Sequence, residues 1–288
     1  MVIGTAGQLA TELHRAARSS EVLLLPPEKV EIADRAAVLS FLERLRPTLV
    51  INAAAYTAVD QAEQEPDRAF AVNAVGPRTV AEWCSKAGAA LVHISTDYVF
   101  DGAKPGAYSE NDPTDPLGVY GASKLAGEEA VRRTLPRHLI VRTSWVFSAH
   151  GKNFAKTVIR LAKERDELRV VADQRGRPTS AADLARSLMQ LAGRLAAGHQ
   201  LAWGTYHFAD RDVTSWHGFA EAVVASQARF TGKLPRVTAI GTADYPTPAK
   251  RPANSALDTT RFEQAFGIRP ALWREELDDV VAELFHTS

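Results

Sequence analysis

Four short runs in the first half of the chain are apolar almost without a break: VLLL (22–25), TLVINAA (48–54), ALVHIST (90–96) and HLIVRTS (138–144). A strand with one wet face alternates apolar and polar residues, whereas a strand covered on both faces is apolar nearly throughout. Helical spacing fills the intervals, at about 7–18, 34–46, 66–87 and 119–134. This alternation predicts an α/β fold, a doubly wound parallel sheet with helices on both sides. Such a sheet needs a large core, and 288 residues with 45% hydrophobic content supply one.

The second half is mixed. LRVVAD (168–173) and TYHFAD (205–210) read as further strands, and helices are expected at 153–165, 181–196, 215–229 and 272–285. The Pro-rich YPTPAKRP (245–252) must be loop. Lys and Arg together number 34, as do Asp and Glu, so no basic excess marks a nucleic-acid surface. The single cysteine, Cys84, cannot form an internal disulfide and reads as a small buried apolar residue. With no signal peptide and no apolar run of membrane length, a cytoplasmic protein without a membrane partner is expected.

The chain opens MVIGTAGQLATEL. A glycine-rich turn from a first strand into a first helix lets backbone amides and the helix N-terminus face a pyrophosphate. Gly4 is expected to serve the tight turn and Gly7 the close approach, with Gln8 and Leu9 beside them. Ala10 stands where a third glycine often packs helix on strand. This turn makes the sheet Rossmann-type and residues 1–150 an NAD(P)-binding domain. Residues 151–288 are then mainly a smaller substrate-binding lobe, interleaved with the first, with the strands near 168–173 and 205–210 added to the first domain's sheet. Only three residues precede Gly4, so the first strand is either clipped or begins upstream. After the second run, LPPEKVEIAD has no acid directly at the strand end. Glu31 and Asp34 follow and can meet a ribose hydroxyl, Lys29 can meet a 2′-phosphate, and a solvated loop explains all three equally.

VYGASKLAGEEA (119–130) sets Tyr120 and Lys124 one helical turn apart. On its own this is an ordinary surface pair, worth about a few tenths of a kcal/mol. It gains meaning from STDYVF (95–100), which ends a strand and supplies Ser95, Thr96 and Asp97. A glycine turn, a Ser/Thr at a strand end and a downstream Y-x-x-x-K resemble the extended short-chain dehydrogenase/reductase superfamily. Further stretches follow in order: NAAAYTAVDQAE (52–63), AVNAVGP (71–77), RTSWVF (142–147), NFAKTVIRLAKE (153–164), DQRGRPTSAADLA (173–185) and YPTPAKRPANSALDT (245–259). Together, and nearly end to end, they resemble the dTDP-4-dehydrorhamnose reductase family.

The resemblance implies an oxidoreductase that reduces the C4 ketone of dTDP-4-dehydro-L-rhamnose to dTDP-L-rhamnose, the last step of dTDP-rhamnose synthesis. NADPH is the cofactor implied, with NADH also accepted. Thr96, Tyr120 and Lys124 would be catalytic. Tyr120 would give the proton, Lys124 would lower the tyrosine's pKa and hold the nicotinamide ribose, and Thr96 would orient the carbonyl. Gly4, Gly7, Gln8, Leu9, Glu31, Ala53, Ala54, Ala55 and Thr57 would line the cofactor. Thr96 and Asp97 would meet the sugar, and Trp145 would stack on thymine. Asn153, Lys156, Gln174, Arg177 and Asn254 would complete the substrate site, with Arg251 clamping the diphosphate. Plainer readings stand beside these: Trp145 as core, Lys156 as a solvated helix residue, Arg251 in a surface ion pair, Gln174 and Arg177 as loop polarity, and Asn73 as a cap or a packing residue.

No metal-ligand cluster of convincing spacing occurs, and His207 and His217 read as structural. Some relatives of the family use Mg2+ at a carboxylate-lined dimer contact, and Glu12 matches one such position, so Mg2+ and a homodimer are left open. The alternatives in function are another short-chain sugar-nucleotide enzyme, such as an epimerase or related 4-ketoreductase, and a non-catalytic nucleotide-binding subunit. Asp97 is followed by Tyr98, so the acid–acid pair of dehydratases is missing. Intact Thr96, Tyr120 and Lys124 argue against a subunit without chemistry.

Overall fold

The computed structural model describes residues 1–4, 7–17 and 30–286; the run at 22–25 and Lys29 lie outside these. Strands β1 (Val2–Ile3), β2 (Leu49–Asn52), β3 (Ala90–Thr96), β4 (His138–Thr143) and β5 (Gly204–His207) form one parallel sheet in that spatial order. Val2 stands opposite Ile51, Leu49 opposite Ala90, Leu91 opposite His138 and Leu139 opposite Gly204. The longer helices among the described residues are α1 (Gln8–Ala16), α2 (Arg35–Leu45), α3 (Gly76–Ala87), α4 (Val119–Thr134), α5 (Phe154–Glu164), α6 (Ala181–Ala196), α7 (Trp216–Thr231) and α8 (Trp273–His286).

Successive side chains leave a strand on opposite faces. Ile3, Val50, Leu91 and Ile140 enter one layer with Val38 and Leu42 of α2, Val80 and Cys84 of α3 and Val131 of α4. Their chain neighbours Val2, Ile51, Val92 and Leu139 enter the other, with Leu9 and Leu13 of α1 and Leu184, Leu188 and Leu191 of α6. Each such side chain contributes about 1.5–3 kcal/mol on burial. Both faces of the sheet are covered, which is why the apolar runs do not alternate. The fold is α/β with a Rossmann-type, doubly wound sheet.

Local chemistry sets the helix starts. Asp34 accepts from Ala37 N at 3.0 Å and so caps α2, which gives this acid a structural role. The helix expected over 66–87 is interrupted. Pro66–Phe70 is α-helical, Ala71–Val75 forms a π-turn, and α3 follows. In that turn Asn73 is fully buried. Its Oδ1 accepts from Tyr56 N at 2.9 Å, and its Nδ2 donates to Tyr56 O at 3.1 Å and Ser123 Oγ at 3.0 Å. Asn73 therefore ties the loop after β2 to α4.

One expected strand goes elsewhere. Glu167–Val171 does not join the central sheet; it pairs in parallel with Arg236–Ile240, register Glu167 to Arg236. The physical reason is its company. It follows α5, and Leu168 packs with Ala155, Val158 and Ile159 of α5, Phe219 and Val223 of α7, and Trp273 and Leu277 of α8. β5 does join the sheet, so the chain crosses between the two cores more than once. No helix among the described residues is long and apolar enough to cross a membrane.

Candidate active site

A cleft of about 550 Å3 opens at the C-terminal ends of β3 and β4, where ligands of parallel α/β sheets bind. Gly7, Gln8, Ala53, Ala55, Thr57 and the 94–98 segment line one side. Trp145, Val146, Gly151, Lys152, Asn153 and Trp216 line the other. A second hollow of about 310 Å3 holds Gly4, Gly7, Glu31, Ala54, Tyr56 and Arg68.

Gly4 is required by its backbone. Its φ is +111°, and a Cβ there would lie 2.7 Å from Ala54 N. Gly4 therefore lets the turn after β1 pass close to the end of β2, while Gly7, expected to let a pyrophosphate approach, lines the cleft. At Gly7 a Cβ would meet nothing within 4 Å. Gly7 caps α1 with no side-chain acceptor, and no acid occupies the first turn. The start of α1 lines the cleft through Gly7, Gln8 and Leu9 and carries no acid in its own first turn, which fits a phosphate. Gln8 bridges the walls: its Nε2 donates to Val146 O at 3.1 Å and its Oε1 accepts from Asn153 Nδ2 at 2.9 Å.

Thr96, Tyr120 and Lys124 converge. Thr96 ends β3, donates from Oγ1 to Asp97 Oδ1 at 3.0 Å and accepts from Tyr98 N at 3.2 Å. Tyr120 lines the cleft beside Thr96, whose side chain favours the phenolate. Lys124, 2% exposed, donates from Nζ to Ile94 O at 2.6 Å. The Tyr98 ring meets Tyr120 edge-on at 5.4 Å. This packing demands Gly121, where a Cβ would stand 2.1 Å from Tyr98 O.

Burial dominates the electrostatics. It pushes the Tyr120 phenol up to about 12, only partly countered by the neighbouring Thr96 side chain. The expected lowering by Lys124 is not what the structure has, because that ammonium is directed at the Ile94 carbonyl. Lys124 itself is brought down to about 8 by burial, against the pull of Glu128. Asp97 is raised to about 6 by burial. One turn beyond Lys124, the fully buried Glu128 accepts from Arg142 Nε at 2.9 Å and Nη2 at 2.7 Å, and from Ser95 Oγ at 2.5 Å. The i, i+4 spacing of Lys124 and Glu128 on α4 is the sequence signal for this anchor; its partner Arg142 lies on β4.

The other expected residues divide. Leu9, Ala53, Ala55, Thr57, Asp97, Trp145 and Asn153 line the cleft, and Ala54 and Glu31 line the second hollow. Five expected substrate residues do not line the cleft. Lys156 donates from Nζ to Ala149 O at 2.8 Å; in this part of the chain it is Lys152 that lines the cleft. Gln174 donates to Thr242 Oγ1 at 3.0 Å. Arg177 has Asp258, Asp212 and Glu263 as its charged neighbours. Asn254 donates to Lys104 O and Gly106 O at 2.7 and 2.8 Å and accepts from Ala256 N, so its amide is taken up in holding a loop. Arg251 pairs with Asp60 Oδ2 at 2.8 Å, beside Val59 at the cleft wall. Sequence reasoning missed Lys152, Tyr98, Ser144 and Trp216.

At Glu12 the chain supplies its own cation, Arg15. Arg15 Nη1 is 3.6 Å and His150 Nε2 3.5 Å from its carboxylate, and Arg15 also pairs with Glu283 at 2.7 Å. A carboxylate group already neutralised by a guanidinium does not fit a divalent cation, which needs several free oxygen ligands.

Residues 1–286 match the family described as RmlD substrate binding domain. A dTDP-4-dehydrorhamnose reductase of Aggregatibacter actinomycetemcomitans is 45% identical over 287 residues, 98% of each chain. A dTDP-4-dehydrorhamnose reductase structure from Clostridium acetobutylicum superposes with a TM-score of 0.89 at 37% identity, over 98% of this chain and 99% of that one. The enzyme of the same name from Bacillus anthracis, solved in complex with NADP, has a TM-score of 0.89 at 36% identity over 98% of both chains. With this sheet, this cleft and these relatives, the chain belongs to the dTDP-4-dehydrorhamnose reductase family.

Proposed function

We propose that the chain reduces the C4 ketone of dTDP-4-dehydro-L-rhamnose to dTDP-L-rhamnose. The observation that carries this reading is the convergence of Thr96, Tyr120 and Lys124 in a cleft that reaches both Gly7 and Trp145. The open α1 N-terminus at Gly7 would hold a pyrophosphate, and Ala53, Ala55 and Thr57 would flank the cofactor. A nicotinamide, when bound, supplies the hydride. Tyr120 then has the proton to give: with its phenol up at about 12 it stays protonated at neutral pH, and its Oη donates to the carbonyl oxygen as charge develops there. Thr96 orients that oxygen, and Lys124 holds the ribose.

Trp145 stacks on the thymine base, and Lys152 and Asn153 meet the nucleotide at the cleft rim, with Arg251 a second cation near the same rim. NADPH is preferred and NADH accepted, because Glu31 and Arg68 share the second hollow and offer a ribose hydroxyl an acceptor and a 2′-phosphate a cation. No step is assigned to Mg2+. The test is NADPH oxidation with the 4-keto sugar nucleotide generated in situ, product stereochemistry being read by NMR. Nicotinamide binding without oxidation by this or related sugar nucleotides would sink the reading.

A further inference from the structure

We propose that Glu128 is a positioning residue for Lys124: its buried carboxylate clamps α4 to β3 and β4 and sustains the charge of the lysine one turn before it. The inference rests on the reading that Lys124 holds the nicotinamide ribose.

Lys124 and Glu128 are fastened to consecutive residues of β3. Lys124 Nζ donates to Ile94 O at 2.6 Å, and Ser95 Oγ donates to Glu128 Oε1 at 2.5 Å. Thr96 is the next residue, so the two ties fix α4 against the strand end where the catalytic groups meet. The clamp continues across the sheet. Ser95 stands opposite Arg142 on β4, and Arg142 opposite His207 on β5. Arg142 donates to both carboxylate oxygens of Glu128, at 2.9 and 2.7 Å, and Arg132 donates to Oε2 as well. Arg142 is held in turn: its guanidinium lies over the Phe100 ring, 5.0 Å from the centroid, and Nη1 is 3.4 Å from His207 Nε2. Glu128 and His207 are fully buried, and Lys124 and Arg142 are each 2% exposed. A forked guanidinium–carboxylate pair fixes geometry as well as charge, and buried charges are little screened by salt.

The groups around Lys124 leave Glu128 as its counter-charge. On α4, Tyr120 is a neutral phenol, up at about 12 through burial. On β3, burial and Lys124 itself hold His93 well below its ordinary 6.5. Burial and Arg142 bring His207 on β5 down to about 3, and burial pushes the Cys84 thiol of α3 up to about 12. Asp97, in the turn after β3, acts on Tyr120. Glu128 is the carboxylate that opposes loss of the Lys124 proton. Removing its charge, with Arg142 and Arg132 left in place, makes the ammonium easier to deprotonate.

The test is calorimetric titration of NADPH at a series of pH values into wild type, Lys124→Met, Glu128→Gln, Arg142→Met and the Glu128→Gln/Arg142→Met double variant. Wild type should lose affinity as pH rises through about 8. In Glu128→Gln that midpoint should fall by about one pH unit or more, so that at the wild-type midpoint NADPH binds about fivefold more weakly. In Arg142→Met, which keeps the carboxylate and removes a cation, the midpoint should stay or rise. A clamp that served structure alone would weaken NADPH in both single variants at every pH and move neither midpoint. Glu128→Gln leaves Arg142 buried without its carboxylate, which is strongly destabilising. Where urea curves show that variant unfolded, the double variant, with neither charge, replaces it and should still titrate below wild type. An unmoved midpoint on loss of Glu128, or midpoints that fall alike in Glu128→Gln and Arg142→Met, overturns the proposal. A flat wild-type profile overturns the ribose reading, and the proposal with it.

Discussion

Tyr120 and Lys124 are moved in opposite directions by the same cause. Removing water from a phenol disfavours its anion, and removing water from an ammonium disfavours its cation. The phenol rises to about 12 and the ammonium falls to about 8. A high phenol pKa suits a proton donor to a developing alkoxide better than it suits a base. Tyr120→Phe is therefore expected to slow single-turnover NADPH oxidation by about 10²–10⁴-fold, the range for a lost general acid. Titrations of NADPH and dTDP should be unchanged. Turnover within a factor of a few of wild type would remove Tyr120 from the chemistry. Lys124 makes a separate prediction. Its charge is lost as pH rises through about 8, and with it the hold on the ribose. NADPH affinity should fall across that range in wild type and stay low and flat in Lys124→Met. Binding measured at a series of pH values decides this, and a flat wild-type profile would refute it. That Tyr120 and Lys124 share one side of α4 and reach the same cleft was legible from Y-x-x-x-K. The direction of the phenol's shift was not, because it depends on what surrounds the ring.

At the scale of elements, the site is held by how α4 lies on the end of β3. The 97–99 turn touches the first turn of α4 through Gly121, and the π-turn at Ala71–Val75 points Asn73 at Ser123 on the same helix. Gly121→Ala would set a Cβ 2.1 Å from the Tyr98 carbonyl, a backbone atom that cannot turn aside. The helix start must move, at a cost of about 1–3 kcal/mol, the usual range for overpacking. Urea unfolding should show that loss, and turnover should fall as well, since Tyr120 is the neighbouring residue. A variant as stable and as active as wild type would show that this contact does not fix the helix. Helical spacing located α4 from the sequence to within a residue or so. The π-turn escaped because a continuous helix carries nearly the same apolar pattern, and only the packing of Asn73 selects the extra residue.

Across the whole molecule, the sheet, α6 and the C-terminal helix meet at two buried carboxyls. Asp210, just beyond β5, accepts from Ser180 N at the start of α6 at 2.8 Å, and Asp183 of α6 accepts from Ala271 N at 2.9 Å. Burial, with Asp183 nearby, raises Asp210 well above its ordinary 3.8. Its folded pKa therefore exceeds its unfolded one. The stabilisation is complete below about 4 and is lost progressively as pH rises toward the folded value. Asp210→Asn keeps an acceptor for Ser180 N and removes the titration, so its stability should decline less than that of wild type from about pH 4 to neutrality. Parallel urea curves at several pH values check this; equal slopes for the two proteins would refute it. What the sequence alone determined was whatever is written in short intervals: the apolar runs that need cover on both faces, the glycine turn, and the Thr96, Tyr120 and Lys124 set carried by one strand end and one helix. The tertiary structure alone decided the partners. Gln8 meets Asn153 across 145 residues, Arg251 meets Asp60 across 191, Glu167–Val171 pairs with Arg236–Ile240, and Trp216 lies on Trp145. The reason is that periodicity records which face of an element is buried, whereas the side chain that meets it is chosen by close packing between segments far apart in the chain.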